Sequence, residues 1–364
     1  MYITKKIAAE IEAAAPIEGK FPKEQLEILG KCGLMKAIIP EEYGGEGIGM
    51  LKNTAAFLNI LKVIGTLDLS LGRIFEGHFN TLFIIALYGS EESKQYYFDK
   101  ALKSEFFGVW NTDQFNDPVR MENKGNFHAL KGKKIFCSGG RSIQNALIST
   151  FNGGVPQLLV VHLDDLDAGA EDTSSWNPMG MCSSVSTTIN FDGYTLENIQ
   201  LIGNPGDYFK EPYFNTGSVR FASVQLGGAF SMASSAISHL TSLGRHNDTI
   251  QKARIAQIAI ALESGDQWIQ KTGEIIDNKE LEDNFKIHQA NMLRCAILEI
   301  CTEVMHLAER AVGLQGFMRS HKMEKLHRDL SVYLKQPGPD AALQRVGEWV
   351  FNEDLKYLSP EETV

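Results

Sequence analysis

Pro40-Glu41-Glu42-Tyr43-Gly44-Gly45-Glu46-Gly47 closes an amphipathic segment with a turn built on closely spaced glycines. Glycine populates positive φ without a Cβ clash, so such a run marks a sharp change of chain direction. Upstream, Phe21-Pro22 opens a helical pattern that carries apolar Leu26, Leu29 and Met35, and Gly33 is placed as its C-terminal cap. Alone, the glycine run also suits an ordinary turn; the segments around it give it meaning.

From about Thr4 to Leu102 apolar residues recur at spacings of three and four, separated by short glycine-containing breaks. Ser90, followed by Glu91 and Glu92, is a predicted N-cap whose acidic neighbours suit the positive end of a helix dipole. Between Phe106 and about Pro212 the pattern changes to short β-branched and aromatic runs, at 106–110, 134–137, 146–151, 158–163 and 187–191. Helical spacing returns from Tyr213 and persists near 219–243, 253–276, 285–312 and 340–352. The predicted class is α+β: a helical domain over 1–105, a small β domain over 106–212 and a helical domain over 213–364.

The chain has 364 residues with 43% apolar content, enough to bury a large core. Forty-five acidic residues against 35 basic ones give a net charge of −10, and no basic block offers a footprint for nucleic acid. The five cysteines, Cys32, Cys137, Cys182, Cys295 and Cys301, form no metal-ligand spacing, so no metal is expected and a reducing cytoplasm is the simplest setting. No segment sustains the roughly 18 apolar residues of a membrane span. No G-x-G-x-x-G or G-x-x-x-x-G-K-[ST] run supports a dinucleotide or P-loop motif.

Several segments together resemble the acyl-CoA dehydrogenase family of flavoproteins across nearly the whole chain. They are the Glu-Tyr-Gly-Gly turn; Asp68-Leu69-Ser70 with Glu76-Gly77-His78; Gly89-Ser90-Glu91-Glu92-Ser93-Lys94; Leu130-Lys131-Gly132-Lys133-Lys134-Ile135-Phe136-Cys137-Ser138; Ala311 to Phe317; and Glu324-Lys325-Leu326-His327-Arg328-Asp329. The resemblance implies a small β-barrel between helical lobes, the second lobe a four-helix bundle. It also implies FAD held between barrel and bundle, with a second subunit covering part of it in a homodimer or homotetramer. Trp110, Asn111 and Thr112 would then sit beside the isoalloxazine ring, Phe136 against one of its faces and Ser138 near its pyrimidine edge. Arg245 would meet the pyrophosphate of a neighbouring subunit's FAD, and Gln315 and Gly316 its adenosine half. Plain alternatives are that Trp110 and Phe136 are core aromatics and Arg245 a solvated helix-end charge.

Arg220 and Tyr333 are the substrate-binding candidates; Arg220 would equally pair with Asp207 or Glu211. The substrate implied is a small molecule such as a CoA thioester of fatty acid metabolism. Electrons would pass to an electron-transfer flavoprotein or come from a flavin reductase.

Removal of an α-proton from an acyl thioester needs a base within hydrogen-bond reach. The positions where the family supplies its glutamate hold Pro337 and Val219 in this chain. Asp340, Asp113 and His78 are the remaining candidates, each with a structural alternative: a helix cap, a supporting contact and a core histidine. Gly217 stands where the family has an aspartate for the CoA pantetheine. The expected function is FAD-dependent oxidation of an acyl-CoA or related substrate. A flavin monooxygenase using reduced flavin and O2, or a catalytically silent assembly subunit, are the alternatives.

Overall fold

A computed structural model describes residues 2–125, 127–152, 154–335 and 338–353. The chain begins with helices α1 (Lys5–Ala13), α2 (Lys23–Lys31), α3 (Leu34–Ile38), α4 (Thr54–Leu67), α5 (Leu69–Tyr88) and α6 (Glu91–Leu102). Gly33, at φ 87°, ends the α2 turn and starts α3, so Met35 belongs to a second helix rather than continuing the first. The Pro40–Gly47 run forms a 3-10 turn at Glu41–Tyr43 followed by left-handed Gly44. A side chain at Gly45 would overlap the Ile39 carbonyl, which fixes glycine there. Ser90 caps α6 by accepting from the Ser93 amide at 3.1 Å.

The β region holds β1 (Phe107–Trp110), β2 (Arg120–Asn123), β3 (His128–Lys131), β4 (Lys133–Cys137) and β5 (Asn145–Asn152). It continues with β6 (Val155–His162), β7 (Glu171–Asp172), β8 (Thr187–Asn190), β9 (Thr195–Leu196) and β10 (Leu201–Ile202). One sheet runs β10-β6-β5-β2-β3-β9, with β1 parallel to β5; the other is β4-β8-β7. The long β5–β6 hairpin, with Ile148 opposite Leu159, is its apolar centre.

Helices resume as α7 (Tyr213–Thr216), α8 (Ser218–Ser242), α9 (Thr249–Asp277), α10 (Asp283–Val312), α11 (Lys322–Tyr333) and α12 (Pro339–Glu353). α8, α9 and α10 pack on one another, α12 lies against α10, and α4 lies along α8. The α4–α8 crossing is a backbone contact. A Cβ at Gly65 would strike the Val224 carbonyl, and one at Gly227 would strike the Lys62 carbonyl.

α11 ties the units together. Lys325 Nζ pairs with Asp329 at 2.6 Å and with Asp68 at 3.0 Å, and Asp329 Oδ1 accepts from the Met181 amide at 2.6 Å.

His78 sits fully buried on α5, where its Nδ1 accepts from the Phe107 amide at 3.1 Å and its ring packs beside Phe75, Phe106 and Phe107. That bond positions β1 against α5. Burial pushes its pKa down to about 3, so the folded protein holds it neutral.

Two predictions follow from this packing. Gly227→Ala is expected to lose about 1–3 kcal/mol through overpacking, read as a lower denaturation midpoint. Gly347→Ala, inside α12 with no atom near the added methyl, is expected to gain about 0.5–1 kcal/mol. Equal effects at both sites would refute the backbone-contact account. For His78 the folded pKa lies below the unfolded value, so its contribution is complete above that value, 6.5, and is lost as pH falls toward 3. His78→Asn is therefore expected to flatten the acid-side dependence of unfolding free energy by up to about 1.4 kcal/mol per pH unit; an unchanged slope between pH 6 and pH 4 would contradict it.

Candidate active site between the sheets and the helices

A cavity of about 700 Å³ opens where the ends of β1 and β4 face α5, α8 and α11. Its first wall comes from the β region and includes Trp110, Asn111, Thr112, Phe136 and Ser138. Trp110 is buried and donates its indole N–H to the Ser138 carbonyl at 3.1 Å, fastening β1 to the end of β4. Between Lys134 and Cys137 the pairing of β4 with β8 shifts register, and Phe136 takes φ 58° within the shift. Such an irregularity re-aims a side chain. Phe136 accordingly stands 57% exposed on the cavity, edge-on to Trp176 with ring centroids 6.3 Å apart. A non-glycine residue in the left-handed region costs about 1–3 kcal/mol and persists where its surroundings impose it. Beside it Ser138, Ser186 and Ser184 form a hydroxyl chain with Oγ–Oγ distances of 3.0 and 2.9 Å.

Lys134 supports this wall from behind. Its ammonium is buried against Asp113 at 2.7 Å and donates to the Asn111 carbonyl at 3.1 Å. Burial lowers the Lys134 pKa, with Asp113 opposing. Asp113 also accepts from the Val119 amide at 2.9 Å. It thus steadies Asn111 and Thr112 from outside the cavity lining.

The opposite wall is polar and rises from helices. Arg73, Glu76 and Asn80 occupy positions i, i+3 and i+7 of α5, one face of an otherwise largely apolar helix. Glu76 is paired with Arg73 through one carboxylate oxygen and accepts from the Asn80 amide through the other; Asn80 Oδ1 accepts from Arg220 Nε on α8. Desolvation acts against the Arg73 charge, but Glu76 together with Tyr333 and Tyr208 outweighs it and the pKa moves up. Burial draws the Arg220 pKa down to about 10 against the pull of Glu76, leaving it charged at neutral pH. Asn111 donates to the Tyr208 hydroxyl and so bridges the two walls. The Asn111 Oδ1 and Tyr333 Oη atoms are buried without a hydrogen-bond partner among the described residues. Burial, then Glu76, push the Tyr333 phenol well above its usual range. Arg73, Glu76, Asn80 and Tyr208 were not candidates on sequence grounds; the signal for the first three was the spaced polar residues within the apolar α5 run, and Tyr208, in the 3-10 turn Asp207–Phe209, had none.

Of the predicted site residues, Trp110, Asn111, Thr112, Phe136, Ser138, Arg220 and Tyr333 meet around this cavity. Arg220 turns to Asn80 rather than to Asp207 or Glu211, which engage Lys210 and Asn215. His78 and Asp113 lie behind the walls as described. Asp340 is exposed within the first turn of α12, off the cavity lining. Arg245 sits in the 3-10 turn after α8 and pairs with Asp248 at 3.8 Å, while Gln315 and Gly316 lie in the turn after α10; none of the three lines the cavity. Val219 is buried in α8, and Pro337 falls outside the described residues. Among the described residues no cluster has the make-up of a metal site, and no helix is long and apolar enough to cross a membrane.

The chain matches the family descriptions "Acyl-CoA dehydrogenase, N-terminal domain" over residues 2–105 and "Acyl-CoA dehydrogenase, C-terminal domain" over 210–345. It is 23% identical to the glutaryl-CoA dehydrogenase of Desulfococcus multivorans, covering 88% of this chain and 86% of that protein. With the mitochondrial short-chain specific acyl-CoA dehydrogenase of Bos taurus it shares 24% identity over 90% and 81% of the two chains. Its fold is similar to FMN-bound TdsC from Paenibacillus sp. A11-2 (TM-score 0.85, 18% identity, 96% of each chain). It is also similar to the methanesulfinate monooxygenase MsuC from Pseudomonas fluorescens (TM-score 0.82, 19% identity, 96% of each chain). Helical lobes flanking a paired-sheet middle, together with the matches at both ends of the sequence, make this chain a member of the acyl-CoA dehydrogenase family.

Proposed function

We propose that the protein is a flavin-dependent oxidoreductase, with FAD as its cofactor, that oxidises an acyl-CoA or related small molecule in the cavity between the two walls. The observation that carries this reading is the β-side wall: an exposed aromatic ring at Phe136, hydroxyls at Thr112 and Ser138, and a buried acceptor at Asn111 that has no partner among the described residues. These suit a planar heterocycle with one polar edge, and the cavity volume falls in the range of cofactor sites. A flavin bound there supplies hydride or electron transfer. The chain's own residues orient and surround it. Thr112 and Ser138 offer hydrogen-bond donors to a ring edge that gains negative charge on reduction, and preorganised donors of this kind stabilise charge as it develops.

In this reading residues 1–105, 106–212 and 213–364 act as the three structural units. Arg245, Gln315 and Gly316 serve the adenosine half of the cofactor beside a second subunit, and exposed Leu314 and Met318 on the same turn support that cover. An electron-transfer flavoprotein would accept the electrons.

A second reading has one observation in its favour. Glu76 is the single acidic side chain lining the cavity among the described residues, and both its oxygens are engaged by Arg73 and Asn80. A wall without a free carboxylate suits oxidation by O2 and reduced flavin, supplied by a reductase, better than α-proton abstraction.

The purified protein, supplied with FAD, is expected to show a bound-flavin absorbance spectrum and to be bleached anaerobically by a member of an acyl-CoA or organic-acid panel. Bound flavin that no panel member bleaches, with product formed only when reduced flavin and O2 are both supplied, would replace the first reading with the second. Failure to bind either redox form would remove both. Ser138→Ala and Thr112→Val are each expected to weaken flavin binding by about fivefold or more, the loss of a single hydrogen bond.

A further inference from the structure

Among the described residues, the helical wall holds an arginine, Arg220, with no carboxylate in ion-pair contact. Arg73 and Arg220 both face the cavity, and Glu76, the carboxylate between them, spends one oxygen on Arg73 and the other on Asn80. Arg220 reaches only the neutral Asn80 carbonyl through Nε; its two terminal amino groups have no partner among the described residues. The guanidinium lies over Phe79 and Phe83, 5.6 and 5.0 Å from their ring centroids, an apolar bed that strengthens its field toward the cavity. A second, independent feature is Tyr333, 3% exposed, which lines the same cavity and whose buried hydroxyl has no partner among the described residues. A buried donor left unsatisfied is costly, and a ligand acceptor would satisfy it. Beside these groups stand the largely apolar side chains of Phe83, Leu87, Tyr213 and Phe214. Farther round the lining stand Arg294, Lys335 and Arg345, while Glu76 is the one acidic side chain lining the cavity among the described residues.

We propose that the substrate is a small organic acid whose free carboxylate is bound by the terminal amino groups of Arg220 and the hydroxyl of Tyr333, with its apolar body along Phe83, Leu87 and Tyr213. This names the substrate class for the oxidoreductase reading above and rests on that cavity being the substrate chamber. Arg220 supplies the fork that a planar carboxylate accepts, and Asn80 and Glu76 act as positioning residues that hold the fork in place. Gly217, at the start of α8, leaves room for this arrangement: a Cβ there would sit 3.0 Å from an Arg220 terminal nitrogen.

The test titrates the full-length protein, with and without added FAD, with 3-phenylpropionate and with the neutral 3-phenylpropanamide, followed by calorimetry and by fluorescence of Trp110 and Trp176 in the cavity wall. The acid is expected to bind about tenfold or more tightly than the amide, the worth of a charge-assisted hydrogen bond. Arg220→Gln should erase that preference, Arg220→Lys should retain part of it, and Tyr333→Phe should weaken the acid several-fold while leaving the amide unchanged. Unfolding midpoints confirm that each variant is folded; if Arg220→Gln is not, the Arg220→Lys and Tyr333→Phe pair decides. Equal binding of acid and amide, no binding of the acid, or a preference undiminished in the folded variants would overturn the proposal. Flavin absorbance in the same samples separates the two ideas. Flavin bound without acid preference removes only this inference, and acid preference without flavin removes only the oxidoreductase reading.

Discussion

The buried ion cluster of α11 governs the placement of everything around the cavity. Lys325 and Asp329, one turn apart, reach Asp68 at the start of α5 and the Met181 amide in the β region. Asp68 in turn caps α5 by accepting from the Leu71 amide at 2.9 Å. Three regions distant in sequence therefore share one set of charges in a site where Asp329 is 2% exposed. Burying such a group is expensive, and its value lies in register: each partner compensates the others only in one arrangement. Arg328 extends the tie to Glu18, Glu324 and the Met179 carbonyl. The R-D pair that stood out in the sequence is thus a fastening between lobes, and the cavity walls inherit their separation from it.

Much of the fold was legible because its signals are local. The long helices α8, α9 and α10 lie within a few residues of their predicted bounds, since apolar residues at spacings of three and four survive any tertiary context. Strands β1, β4, β5, β6 and β8 were equally readable from their β-branched and aromatic runs. β2 was not, because Arg-Met-Glu-Asn buries only Met121 and its pairing with β3 and β5 comes from sequence-distant partners. α11 was recognised through its Arg-Asp pair rather than as a full helix, its mean hydropathy masked by charges that turn inward to ion partners.

The site divides in the same way. Trp110, Thr112, Phe136 and Ser138 were reachable because they lie at or near the ends of β1 and β4, at positions that the family resemblance marks. Of the polar wall only Arg220 and Tyr333 were; the rest was not, since Arg220 meets Asn80 across 140 residues of sequence and no local pattern announces that meeting. His78, Asp113 and Asp340 were picked by residue type and place along the chain, and neither says which way a side chain faces. A histidine whose ring accepts from a strand amide, and an aspartate that neutralises a buried lysine, are both needed by the structure for reasons unrelated to proton transfer.

The glycine-to-carbonyl contact between α4 and α8 has a consequence for selectivity. Where two backbones touch with no side chain between them, there is no rotamer to turn and no methylene to compress, so the helical side of the chamber behaves as a rigid jaw. Compounds of differing girth would then be accommodated from the facing side, where the exposed Phe136 ring stands edge-on to Trp176, whose indole N–H is held by the Met181 carbonyl. Breadth of accepted shapes would accordingly be governed by one exposed aromatic ring, Phe136, while the helices keep a fixed gauge.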